Sequence, residues 1–168
     1  MTYVLPVEVV ITPSLVSPER LDEMMRMARD YSPVLIDVGA VVEGALGANF
    51  RTLGYGTWAP LADSTLRDKR RAGHMLNTPL VRTGRLYDAL TTRGAPGHKF
   101  LVSEDSVTVG VYPDVVPYAA WLAGGTRRMP ARVLVQLSDQ DISDIVGLIK
   151  EWLGGEGVEV RVDAPLSA

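Results

Sequence analysis

Residues 32–50 read SPVLIDVGAVVEGALGANF. Ser32-Pro33 is a helix start, with a capping residue ahead of a proline whose fixed φ suits the first turn. Leu35, Val38, Val42, Ala45 and Asn49 then recur on one face at helical spacing, so a helix is expected to run to about Phe50. Gly39, Gly44 and Gly47 interrupt it, and each costs about 1 kcal/mol relative to alanine in a helix interior. Close packing of another backbone would offset that cost; a bend is the other option. A helix this apolar needs other layers around it, so the fold class depends on its neighbours.

Toward the N-terminus, Tyr3 to Ile11 reads as a β-rich start broken by Pro6, which suits an edge strand. Ser17-Pro18 opens a second, shorter helix with Leu21, Met24, Met25 and Ala28 at i, i+3, i+4, i+7 spacing. On the other side, Gly54, Gly56, Pro60, Gly73 and Pro79 punctuate a long loop over residues 51–82. Its local order is a turn of helix at Ser64–Arg71. Loops of this length are usually functional or disordered. Thr83 is placed to cap a short helix from Gly84 to Leu90.

Phe100–Val102 and Val107–Val111 read as two strands, the second alternating in the period of a half-buried strand. Pro117 opens a helix over Tyr118–Ala123, stopped by Gly124-Gly125. Arg132–Leu137 reads as a third strand. Ser138-Asp139-Gln140-Asp141 resembles a capping box with Asp for Glu. The helix after it presents Ile142, Ile145, Val146, Ile149, Trp152 and Leu153 on one face, and Gly154-Gly155 ends it. Val158, Val160 and Val162 alternate with polar residues in a last strand. The elements lack a regular βαβ rhythm. The expectation is one α+β domain over residues 1–163, a small, mainly antiparallel sheet packed against two or three helices, with 164–168 as a tail.

Composition narrows the function. A domain of 168 residues buries roughly 70% of its unfolded surface and needs no staples. The 46% hydrophobic content argues against wholesale disorder. The chain has no cysteine, which removes disulfides and thiolate metal sites. The N-terminus lacks the basic region of a signal peptide, and no uninterrupted apolar run approaches the ~18 residues that span a bilayer. A cytoplasmic protein with no membrane partner is expected.

Net charge is −3, unevenly distributed. Residues 51–99 hold nine Lys or Arg against three acids, while the remainder holds eight against seventeen. Such asymmetry orients a subunit against copies of itself or another partner. A solvated basic loop accounts for the charge equally well.

Chemistry finds little support. His74 and His98 lie 24 positions apart with no carboxylate at helical spacing beside either, so no zinc site is read and no cofactor is expected. Gly54-Tyr55-Gly56 lacks the rest of a phosphate loop. A nucleophile elbow is absent. Asp139, Asp141 and Asp144 suit a helix N-terminus better than an acid–base pair. Nucleic-acid binding has Arg67, Lys69, Arg70 and Arg71 near Tyr55 and Trp58, which supply charge and stacking. Against sequence-specific binding stand an acidic pI near 5.4 and the lack of a recognition motif. Trp121, within Tyr118-Ala119-Ala120-Trp121-Leu122, reads as core. Trp58, beside Pro60, suits core and interface equally.

The order of pieces resembles a known family. Trp58, Pro60, Leu61, Thr65, Lys69, Leu76, Thr83, Gly84 and Leu86 come first. Val109-Gly110, Tyr118-Ala119, Gly124-Gly125-Thr126 and Pro130-Ala131-Arg132 follow. Together they are similar to the virion-morphogenesis and tail-completion proteins of tailed bacteriophages, also called neck or head–tail joining proteins. The likeness covers about residues 34–153. Family members often carry a His at the position of Leu122. The resemblance implies a non-enzymatic structural protein of the virion, assembled in host cytoplasm. It would form a ring, hexameric to match the tail tube, at the head-proximal end of the tail. Its partners would be itself, the connector or stopper, the tail terminator or tube, and genomic DNA in the lumen. The expected interface residues are Trp58, Pro60, Leu61, Thr65, Arg67, Lys69, Arg70, Arg71, Arg82, Arg85, Arg127 and Arg128. A small DNA-binding accessory protein using residues 67–71 is the alternative.

Overall fold

The computed structural model describes residues 8–13, 18–27, 29–74, 78–153 and 158–163. The expected strand start before Glu8, the Ser17 cap, Ala28, Leu76, the Gly154-Gly155 stop and the 164–168 tail lie outside the described residues. The elements run β1 (Glu8–Pro13), α1 (Pro18–Met27), α2 (Ser32–Arg51), α3 (Asp63–Arg71), α4 (Arg85–Thr91), β2 (His98–Val102), β3 (Val107–Val111), α5 (Ala119–Gly124), α6 (Asp139–Trp152) and β4 (Val158–Asp163). The protein is α+β. Its strands form two separate antiparallel pairs: β1 with β4, Glu8 opposite Asp163, and β2 with β3, His98 opposite Val111.

Helix α2 is the hub, packing on α4, α6 and the β2–β3 pair. Val34, Val38, Val42, Leu46 and Phe50 run down its length and are buried. They meet Leu86, Ala89 and Leu90 of α4 and Ile145, Ile149 and Leu153 at and just beyond α6. An 18-residue window of α2 has a mean hydropathy of 1.3, so by length and composition it could cross a membrane. Over half of that window is buried within the protein, as befits a core helix. The glycines of α2 serve different ends. At Gly39 an added Cβ would lie 2.5 Å from the Phe100 ring, so a side chain, not a backbone, makes the close approach. At Gly44 nothing lies within 4 Å.

The capping box expected at the start of α6 is present. Asp141 Oδ2 accepts from the Ser138 backbone N–H at 2.7 Å, and Asp141 N–H donates to Ser138 Oγ at 3.2 Å, a reciprocal capping box. Helix α4 starts differently from expectation. Its N-cap is Gly84 at φ 85°, not Thr83, and no side chain caps it.

Residues 131–137 belong to no helix or strand and join no sheet. Side chains take the place of a neighbouring strand. Asn49 Nδ2 donates to the carbonyls of Val133 (3.1 Å) and Leu134 (2.9 Å). Trp58 Nε1 also donates to Val133, at 2.9 Å. Buried carbonyls need such donors wherever they can be found.

Candidate functional site

Helix α3 begins after Pro60 and Leu61 and lies inside the long 51–82 connection. Thr65, Asp68, Lys69 and Ala72 fall at i, i+3, i+4, i+7 spacing and face one side. Opposite them run Leu80 to Leu86, and α5 contributes Leu122, with Tyr118 just before it. Between these walls lies a cleft of about 820 Å³. Leu61, Leu80, Val81, Leu86, Tyr118 and Leu122 supply its apolar surface, and Arg71, Arg82 and Arg85 stand exposed at its edge. Among the described residues, Asp68 is the one acid lining it.

One hydrogen bond ties the walls together, and one residue of the lining is strained. Lys69 Nζ donates to the Thr78 carbonyl at 2.8 Å, tying α3 to the far side of the connection. Burial pushes the Lys69 ammonium below its ordinary pKa. Leu80 takes φ 65°, a left-handed backbone that a leucine rarely adopts. Such strain costs of order 1–3 kcal/mol and persists where surrounding structure imposes it, often at functional sites.

Arg132 is only 5% exposed. Its guanidinium donates to the Ala59 carbonyl at 3.0 Å, and its backbone N–H donates to the Leu122 carbonyl. Burial lowers its pKa. Arg132 therefore pins the segment before Pro60 to the segment after α5.

The fold draws six of the twelve expected interface residues to one cleft: Leu61, Thr65, Lys69, Arg71, Arg82 and Arg85. Pro60 is exposed beside it. Arg67 and Arg70 are exposed on α3 outside the cleft lining, and Arg127 and Arg128 are exposed in the tight turn closed by Thr126 and Met129. Two expectations are corrected. Trp58 is 7% exposed, packed edge-on against Phe50 with ring centroids 5.3 Å apart, so it is core and not a displayed anchor. Lys69, at 6%, is a tie and not a free cation.

The two tryptophans exchange roles relative to the sequence reading. Trp121 is 63% exposed, the most exposed of the large apolar side chains described. Helix α5 has six residues and buries only Ala119, so Trp121 is left to solvent. Tyr55 does not join the basic residues in a stacking surface. Burial foremost, then the nearby Asp141 carboxylate, raises its hydroxyl pKa, with Ser138 as a hydrogen-bond partner. Tyr118, Leu122, Leu80 and Val81 went unread as site residues, because only the tertiary fold brings them against α3.

The arrangement offers an apolar slot with a cationic edge, suited to an acidic, partly apolar polypeptide surface. No protein-family model matches the chain, and neither a curated protein nor a solved structure matches it.

Proposed function

We propose that this chain is a structural subunit of a tailed-bacteriophage virion: a tail-completion or neck protein that forms a ring at the head-proximal end of the tail and joins tail to head. The observation carrying this reading is the cleft. Leu61, Thr65, Lys69, Thr83, Leu86 and Tyr118 come from three separate stretches of the motif order that resembles that family, and they line one cleft. The chain's uneven charge supports head-to-tail packing between identical subunits, which closes into a ring when the rotation permits. A ring of six would match the tail tube. Partners on either side would be a connector or stopper and a tail terminator or tube protein. Particles assembled without this protein should accumulate as separate filled heads and tails. Normal infectious particles made in its absence would refute the proposal.

A second reading rests on α3, whose Arg67, Arg70 and Arg71 are all exposed. They form a basic strip able to meet the phosphates of DNA, whether in a ring lumen or as an accessory binder. Affinity for duplex DNA would then fall steeply with salt and weaken when the three become alanine.

A further inference from the structure

Helix α1 has five described side chains, Glu19, Asp22, Met25, Arg26 and Met27. Among the described elements it makes no more than marginal contact with any other helix or strand. Of these side chains, Met27 packs against the core. Glu19, Asp22 and Met25 are all exposed, Met25 at 56%. They recur every three residues, so they form one row about 9 Å long on the helix. The row reads acid, acid, apolar.

The cleft is complementary to that row. It has an apolar interior, three exposed arginines at its edge and, among the described residues, a single acid. A helix of ten residues is roughly 15 Å long and 10 Å across, so 820 Å³ cannot swallow it whole but can receive one face. The same chain thus carries an exposed acidic–apolar row on α1 and a basic–apolar slot.

We propose that α1 of one copy seats in the cleft of the next, with Met25 entering the apolar slot and Glu19 and Asp22 meeting Arg82 and Arg85. The inference rests on the ring reading and names the contact that builds it. The interface is heterologous, because different surfaces meet, and such contacts extend around a ring and do not stop at a dimer. Exposed charge pairs in it will weaken with salt.

A charge exchange tests it. One variant carries Glu19→Lys with Asp22→Lys, and the other carries Arg82→Glu with Arg85→Glu. All four side chains are exposed, so both variants should unfold at the wild-type temperature. Mass in solution is read by light scattering. Wild type is expected as a multimer, and each variant alone as a species near the 18.2 kDa chain mass. Mixing the two should restore the wild-type mass, because each reversed helix then meets a reversed cleft. Variants that keep the wild-type mass, or a mixture that stays monomeric, would overturn the α1 contact and leave the ring standing. A wild type that is monomeric at every concentration would overturn the ring reading, and this contact with it.

Discussion

Gly39→Ala and Gly44→Ala are the same substitution in the same helix, and they should have opposite effects. Each should gain about 1 kcal/mol from helix propensity. At Gly44 nothing lies within 4 Å of the new methyl, so that gain stands. At Gly39 the methyl would meet Phe100 Cε2 at 2.5 Å, Phe100 Cζ at 2.6 Å and Val107 Cγ2 at 3.1 Å. The ring cannot retreat freely. The Arg93 guanidinium sits 3.7 Å from its centroid, and Glu43 holds Arg93 at 2.6 Å. Overpacking of this kind costs about 1–3 kcal/mol, so Gly39→Ala should come out neutral to about 2 kcal/mol destabilised. The two variants should therefore differ by about 1–3 kcal/mol. In a chain of this size that separates their melting temperatures by roughly 2–4 °C per kcal/mol. Urea unfolding with unchanged slopes provides the free energies. Adding Phe100→Leu should recover part of the loss at position 39 and do nothing at 44. Equal gains in both variants would refute the close approach of β2 to α2.

Asn49→Ala should destabilise the fold by about 1–3 kcal/mol, since the buried Leu134 carbonyl loses its donor. Asn49→Asp is nearly isosteric but turns an acceptor toward two carbonyls, so it should cost more, and its deficit in urea unfolding should shrink at low pH as the carboxyl regains a proton. Lys69 sets a pH dependence of the opposite kind. Its folded pKa lies below the ordinary 10.5, so between those two values the unfolded chain holds more protons and stability rises with pH. Measured against Lys69→Met, wild type should gain stability through that window, and a flat or falling difference would count against the burial of a charged Lys69. Arg82→Ala with Arg85→Ala should leave stability within about 0.5 kcal/mol of wild type yet abolish complementation of particles lacking the protein; retained head–tail joining would exclude the cleft as the docking surface.

The parts legible in sequence are those with short-range causes. The capping box at Ser138 and the apolar face of α6 lie within one segment, and so do the alternating residues of β3. Arg132–Leu137 reads as a strand yet joins no sheet, for a physical reason. Its carbonyls need donors, and here they come from Asn49 and Trp58, at least 75 positions away. Trp121 was misread because its apolar neighbours suggest burial, whereas a six-residue helix can bury only one side. Half of the expected interface set meets at one cleft. Leu80 and Val81, which help complete it, carry no mark of their own, because the slot exists only once α3 has folded back along Thr78 and Lys69.

Segment 131–137 is held by its carbonyl oxygens, which every residue type possesses. Val133 supplies such an oxygen to both Asn49 and Trp58 while its side chain is 43% exposed. The side chain at 133 can therefore be exchanged without touching the clamp. The chain contains no cysteine, so Val133→Cys would create a single thiol on an anchored backbone. A dye or spin label there would sit on backbone held by two side-chain donors, next to the buried Arg132.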